Sequence, residues 1–103
     1  MSKVMVRYKV KPERVQENEQ LIRAVYEELQ RTAPAGLRYA TFKLDDGVSF
    51  VHIASNETED GHSPLREVRA FQEFQQDVAK RCTEPPVASE LHEVGSFRFH
   101  GDS

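Results

Sequence analysis

The stretch Val48-Ser-Phe-Val-His-Ile-Ala-Ser55 does most to restrict what this chain can fold into. Read as a strand, it puts Val48, Phe50 and His52 on one face and Val51 and Ile53 on the other. A strand that is apolar on both faces has to be covered on both faces. Asp45-Asp46-Gly47 precedes it, and a strand-like run at 37–44 precedes that. Asp-Gly between two such runs is a strong hairpin signal, because the turn needs residues that accept positive φ.

The flanking segments supply one cover. Residues 3–10 alternate with period two, Val4, Val6, Tyr8 and Val10 against Met5, Arg7 and Lys9, which predicts a first strand. Pro12 suits the first turn of a helix over 12–31. In that helix Val15, Leu21, Ile22, Val25, Tyr26 and Leu29 fall in an arc of about 140°. Ala33-Pro34-Ala35-Gly36 ends it. Residues 56–62 form a polar loop, and Ser63-Pro64 opens a short turn of helix at 64–69. A main helix follows at 70–82, with Phe71, Phe74, Val78 and Cys82 on one stripe. Glu84-Pro85-Pro86 reads as a stop, and 89–99 as the last strand with a bend at Gly95. His100-Gly-Asp-Ser103 is a short tail.

The order is β-α-β-β-α-β, the ferredoxin-like α+β unit with a four-stranded antiparallel sheet. Its two helices cover one face only. A second copy of the sheet is the economical cover for the other, which predicts a homodimer built as a dimeric α/β barrel. The 103 residues make one domain, 1–103. A net charge of −3 gives no electrostatic reason for a nucleic-acid or anionic-membrane partner. Asp46-Gly-Val-Ser-Phe-Val-His-Ile53 partly matches an RNA-binding strand motif, but Val48 and Ile53 stand where stacking rings belong. No stretch reads as a signal peptide or membrane span, so the expected location is cytoplasmic.

The order and length, the Thr32-Ala-Pro-Ala-Gly36 break, Gly47-Val-Ser-Phe-Val-His-Ile53, Phe71-Gln-Glu-Phe74 and Val94-Gly-Ser-Phe97 together resemble small proteins of the antibiotic biosynthesis monooxygenase type. The resemblance covers roughly residues 3–99 and none of its motifs is catalytic. It implies a dimeric α/β barrel with a small pocket between sheet and helices. It also implies either oxidation of phenols or quinols by O₂ without a cofactor, or haem opening. The haem-opening branch carries an Asn/Trp/His arrangement. This chain has no tryptophan, and no asparagine in its first strand, which leaves the cofactor-free reaction.

Such a reaction needs a group to take a proton and a donor to hold the anion. His52, in the middle of the two-sided strand, is the leading candidate, with Asn56 at the strand end to orient a substrate oxygen. Tyr8 and Tyr39 could present hydroxyls in a cavity, Arg38 could bind an anionic oxygen, and His62 could stand at the pocket mouth. Each has a plainer reading as a hydrogen-bonded core residue, an ion pair or a loop residue. No metal site is expected: Cys82 is the single cysteine, and the four histidines lack ligand spacing. A non-catalytic ligand-binding or interaction module on the same scaffold is the second functional reading.

Overall fold

The computed structural model describes residues 2–99, so the expected tail from His100 lies outside the described residues. Four antiparallel strands, β1 (Ser2–Val10), β2 (Leu37–Lys43), β3 (Ser49–Asn56) and β4 (Cys82–Glu90), form one sheet in the order β2-β3-β1-β4. This is the ferredoxin-like α+β arrangement. A 3-10 turn at Pro12–Arg14 leads into α1 (Val15–Thr32). A second 3-10 turn, Pro64–Glu67, precedes α2 (Arg69–Gln76) and the single-turn α3 (Val78–Arg81). Among the described residues no helix is long and apolar enough to cross a membrane.

The register decides what each face of the sheet displays. Thr41, His52, Val6 and Ala88 lie side by side across the four strands, as do Ala40, Ile53, Met5 and Ser89 one residue along. Alternation sends the first row under the helices and the second to the opposite face. The helix side holds the core: Tyr8, Val10 and Phe50 from the sheet, Ile22 and Val25 from α1, and Leu65, Val68 and Phe74 from the segment after the loop. The other side carries Met5, Ala40, Phe42, Val51, Ile53 and Val87 with no helix over them, and Phe42 and Val87 are exposed.

The hairpin forms as its sequence predicts. Asp46 caps the turn through its carboxylate, which accepts from the backbone N–H groups of Val48 (3.0 Å) and Ser49 (2.8 Å) and from the Ser49 hydroxyl (2.6 Å). Gly47 supplies the positive φ of 76°. The end of α1 is less comfortable. Ala33 takes the left-handed capping position at φ 41°, where glycine is the usual residue.

The last strand departs from expectation. Glu84-Pro85-Pro86 does not stop the chain but lies inside β4, which begins at Cys82 and ends at Glu90. Proline is tolerated there because β4 is an edge strand and its register against β1 shifts between Val87 and Glu84. Residues 91–99, Gly95 among them, form no regular strand. Cys82 is therefore a half-buried strand residue rather than the end of a helix. The main helix is also shorter than predicted, breaking at Asp77 between α2 and α3.

Candidate functional site

A cavity of about 390 Å³ opens between the helix face of the sheet and α2. Val4, Val6 and Ala54 form its floor, and Leu65, Phe71, Phe74 and Val78 its roof. Among these apolar walls stand Tyr8, Tyr39, His52 and Asn56. Three larger hollows are shallow depressions on the surface, and His62 lies in one of them. In the hollow beside α1, Glu19 already accepts from both Arg23 (3.3 Å) and Lys43 (2.9 Å), which leaves that carboxylate no free charge to offer.

His52 sits at the centre of a buried hydrogen-bonded chain. Its Nε2 lies 2.7 Å from the Tyr8 hydroxyl. Its Nδ1 lies 2.6 Å from the Tyr39 hydroxyl and 3.1 Å from Thr41 Oγ1. Strand geometry explains this convergence. Tyr8 and Tyr39 are each one same-face position along from the residues opposite His52, so both reach it diagonally from the flanking strands β1 and β2. The Tyr8 ring stacks on Phe50 with centroids 5.6 Å apart, and Phe74 packs 5.4 Å from the His52 ring.

The chain continues in both directions through residues that the sequence did not mark as site candidates. Thr41 Oγ1 is 2.8 Å from the Tyr26 hydroxyl on α1. On the other side Asn18 Nδ2 donates to the Tyr8 oxygen at 3.0 Å, and Arg81 Nε donates to Asn18 Oδ1 at 3.0 Å. Arg81 is 1% exposed and Asn18 fully buried. The guanidinium also donates to the Phe74 carbonyl at 2.9 Å and lies 5.0 Å from the Phe74 ring centre. Among the described residues both of its hydrogen-bond acceptors are neutral, so a buried cation stands at this end of the chain.

Burial sets the electrostatics. Desolvation pulls His52 down to about 4, so the imidazole is neutral at pH 7. Burial pushes both Tyr8 and Tyr39 well above the ordinary phenol range; for Tyr8 the Asn18 hydrogen bond and the Arg81 charge oppose the rise. Burial likewise lowers Arg81, with the Glu17 carboxylate opposing.

Asn56 is 4% exposed and lines the same cavity. Its Nδ2 donates to Ser2 Oγ at 3.2 Å, whereas its Oδ1 is buried with no donor among the described residues. The structure places the other two candidates elsewhere. Arg38 is next to Tyr39 and so points to the opposite sheet face, where it pairs with Glu57 at 3.2 Å. It lines a hollow of about 300 Å³ there with Ala40, Phe42, Ile53, Ser55 and Phe99. His62 is an exposed loop residue 2.5 Å from Asp60 Oδ1 and does not line the cavity. Among the described residues no group of three His, Cys, Asp or Glu side chains is placed to hold a metal.

This is the fold of the antibiotic biosynthesis monooxygenase-like proteins, a class of small ferredoxin-like α+β domains. The chain is similar to an antibiotic biosynthesis monooxygenase with which it shares 20% identity at a TM-score of 0.71, over 92% of this chain and 100% of that one. A protein of Nitrosomonas europaea assigned provisionally to the same group gives 17% identity and a TM-score of 0.73 over 92% and 100%. SnoaB of Streptomyces nogalater, a cofactor-independent oxygenase solved in a mutant form, gives 16% and 0.65 over 92% and 94%. No protein-family model matches the chain, and no curated protein matches it by sequence.

Proposed function

We propose that the cavity between the sheet and α2 is the active site of a cofactor-independent monooxygenase for a small aromatic phenol or quinol. One observation carries the reading: a neutral histidine held between two tyrosine hydroxyls at the side of an aromatic-walled cavity. The fold likeness to a cofactor-independent oxygenase supports it. A flat ring fits between Phe71, Phe74 and the sheet floor. One ring oxygen meets the Tyr39 and His52 end, with Asn56 in the wall of the same cavity.

Magnitudes restrict how His52 works. Moving a proton from a phenol of pKa about 10 to an imidazole near 4 is uphill by roughly 8 kcal/mol. The phenolate–imidazolium attraction at about 4 Å returns roughly 4 kcal/mol at an effective dielectric of 20. The remaining ~4 kcal/mol is small beside the barrier of ordinary turnover, so His52 takes the proton transiently and the tyrosines hold the charge. The electron-rich phenolate then reacts with O₂ at a ring carbon. Loss of water from the hydroperoxide gives a quinone: for an anthrone-type CH₂ compound, one O₂ enters, one oxygen stays on carbon and one leaves as water.

The protein works as a cytoplasmic homodimer in this reading. The uncovered face with Met5, Ala40, Phe42, Val51, Ile53 and Val87 is the surface for a second copy. One observation favours the alternative of a non-catalytic binding module: both His52 nitrogens already have partners within the protein. Oxygen consumption over a panel of hydroquinones and anthrone-type compounds, with wild type beside His52→Ala, separates the two. Turnover lost in His52→Ala is expected. Equal turnover in both proteins removes His52 from the reaction, and binding without turnover selects the module.

A further inference from the structure

We propose that Asn18, locked by Arg81, is a positioning residue that fixes the direction of hydrogen bonding through Tyr8, His52 and Tyr39. In that direction His52 carries its proton on Nδ1, and the Tyr39 hydroxyl hydrogen is not spent on His52 and can turn to an oxygen of the ligand. The role of Tyr39 rests on the cavity being a ligand site; the His52 tautomer does not.

The hydrogens can be counted inward from Arg81. A guanidinium has only donors, so Arg81 Nε can face only the carbonyl side of the Asn18 amide. That settles the amide orientation, and Asn18 offers Tyr8 an N–H, never a lone pair. The Tyr8 hydroxyl therefore cannot donate toward Asn18. Its single hydrogen has one remaining partner among the described residues, His52 Nε2 at 2.7 Å. A hydroxyl that donates to Nε2 requires that nitrogen to be bare. A neutral imidazole then has its proton on Nδ1, directed at Tyr39 (2.6 Å) with Thr41 alongside (3.1 Å). The opposite arrangement, with the proton on Nε2, leaves the buried Tyr8 hydrogen unmatched.

The consequence falls on the cavity. Tyr39 receives from His52 and keeps its own hydrogen, which can turn to the neighbouring Thr41 oxygen or to a ligand oxygen in the cavity that Tyr39 lines. The site so arranged presents a donor at Tyr39. At the same time a proton arriving at Tyr8 can be passed on to the bare Nε2. If the chain ran the other way, Tyr39 would spend its hydrogen on Nδ1 and face the ligand as an acceptor. Two fully buried polar residues on otherwise apolar helix faces are a large commitment unless direction matters.

The test is long-range ¹H–¹⁵N correlation of the imidazoles in the full chain at pH 7, with His52→Gln used to assign the His52 signals among the four histidines. In wild type, His52 Nδ1 is expected at the protonated, upfield position and Nε2 at the bare, downfield one. Asn18→Asp, nearly isosteric and still facing Arg81, turns the donor into an acceptor. Tyr8 then donates to Asp, accepts from Nε2–H, and the two ¹⁵N positions exchange. Arg81→Met frees the amide to turn and gives a mixture of the two tautomers. A wild-type His52 protonated on Nε2 overturns the proposal, even if neither variant folds. So does an Asn18→Asp protein that keeps the wild-type pattern, since a merely structural Asn18 would not move the tautomer. Oxygen consumption reads separately: tautomer exchange in a protein that oxidises no quinol removes the oxygenase reading and leaves this one standing.

Discussion

Lowering the pH should weaken this protein through one residue, and the size of the effect follows from His52. Burial holds its folded pKa at about 4, whereas in the unfolded chain it titrates near 6.5. Below 6.5 the unfolded state therefore binds the extra proton and the folded state does not. The sign is fixed by linkage: the contribution is fully present above the unfolded pKa, falls as pH drops through the window from 6.5 to 4, and levels off below it. Between pH 7 and pH 5 the loss is about 2 kcal/mol, and by pH 4 about 3 kcal/mol. The carboxyl groups that hydrogen bonds hold low, Asp46 and Asp60 near 2 and Glu17 and Glu28 below their ordinary value, act below about pH 5 and leave the span from pH 7 to 5 clear. Urea unfolding at a series of pH values and one protein concentration, with His52→Gln as reference, isolates the effect. The expected midpoint shift between pH 7 and 5, beyond that of the variant, is roughly 1–2 M urea. Equal pH dependence in the two proteins, or an imidazole titrating near 6.5 in the folded state, would refute the reasoning.

Two further outcomes bear on the architecture. Ile53→Lys places a charge in the middle of the uncovered sheet face, in the row with Met5 and Ala40, and sedimentation at low micromolar concentration is expected to show dimer for wild type and monomer for the variant; wild-type monomer would remove the dimer. Ala33→Gly relieves the left-handed residue that ends α1 at φ 41° and is expected to raise stability by about 0.5–1 kcal/mol in thermal or urea unfolding.

What the sequence disclosed, and what it hid, divides along physical lines. The hairpin was legible because Asp46 and Gly47 are local chemistry: a short carboxylate that bonds its own turn and a residue that accepts positive φ. The face of His52 was legible because strand alternation is rigid. The same alternation could have separated Arg38 from Tyr39, since neighbours on a strand point to opposite faces of the sheet. Asn18 and Arg81 stayed hidden because stripe counting scores apolar residues only. Yet Asn18 falls in the series 15, 18, 22, 25 and 29 that faces the core, and Arg81 in the series 71, 74, 78 and 81. A polar residue at a core position of a helix is itself a signal. Thr41 and Tyr26 became partners only through packing of α1 on β2, which no local pattern encodes. The last strand was misplaced because two prolines were read as a stop, when an edge strand with a register shift accommodates them.

Those two prolines also govern how the molecule can grow. An edge strand is an open template, and a neighbour's strand can zip onto it, then another onto that, without end. Pro85 and Pro86 are consecutive, so whichever of them faces away from β1 removes an amide hydrogen from the outer edge of β4, and an incoming backbone meets a gap where its carbonyl needs a donor. Stacking through the broad face has the opposite arithmetic: a two-fold pair uses up the same patch on both copies and stops at two. The protein thus carries a built-in terminator against fibres in the strand that lies furthest from β2 in the sheet order.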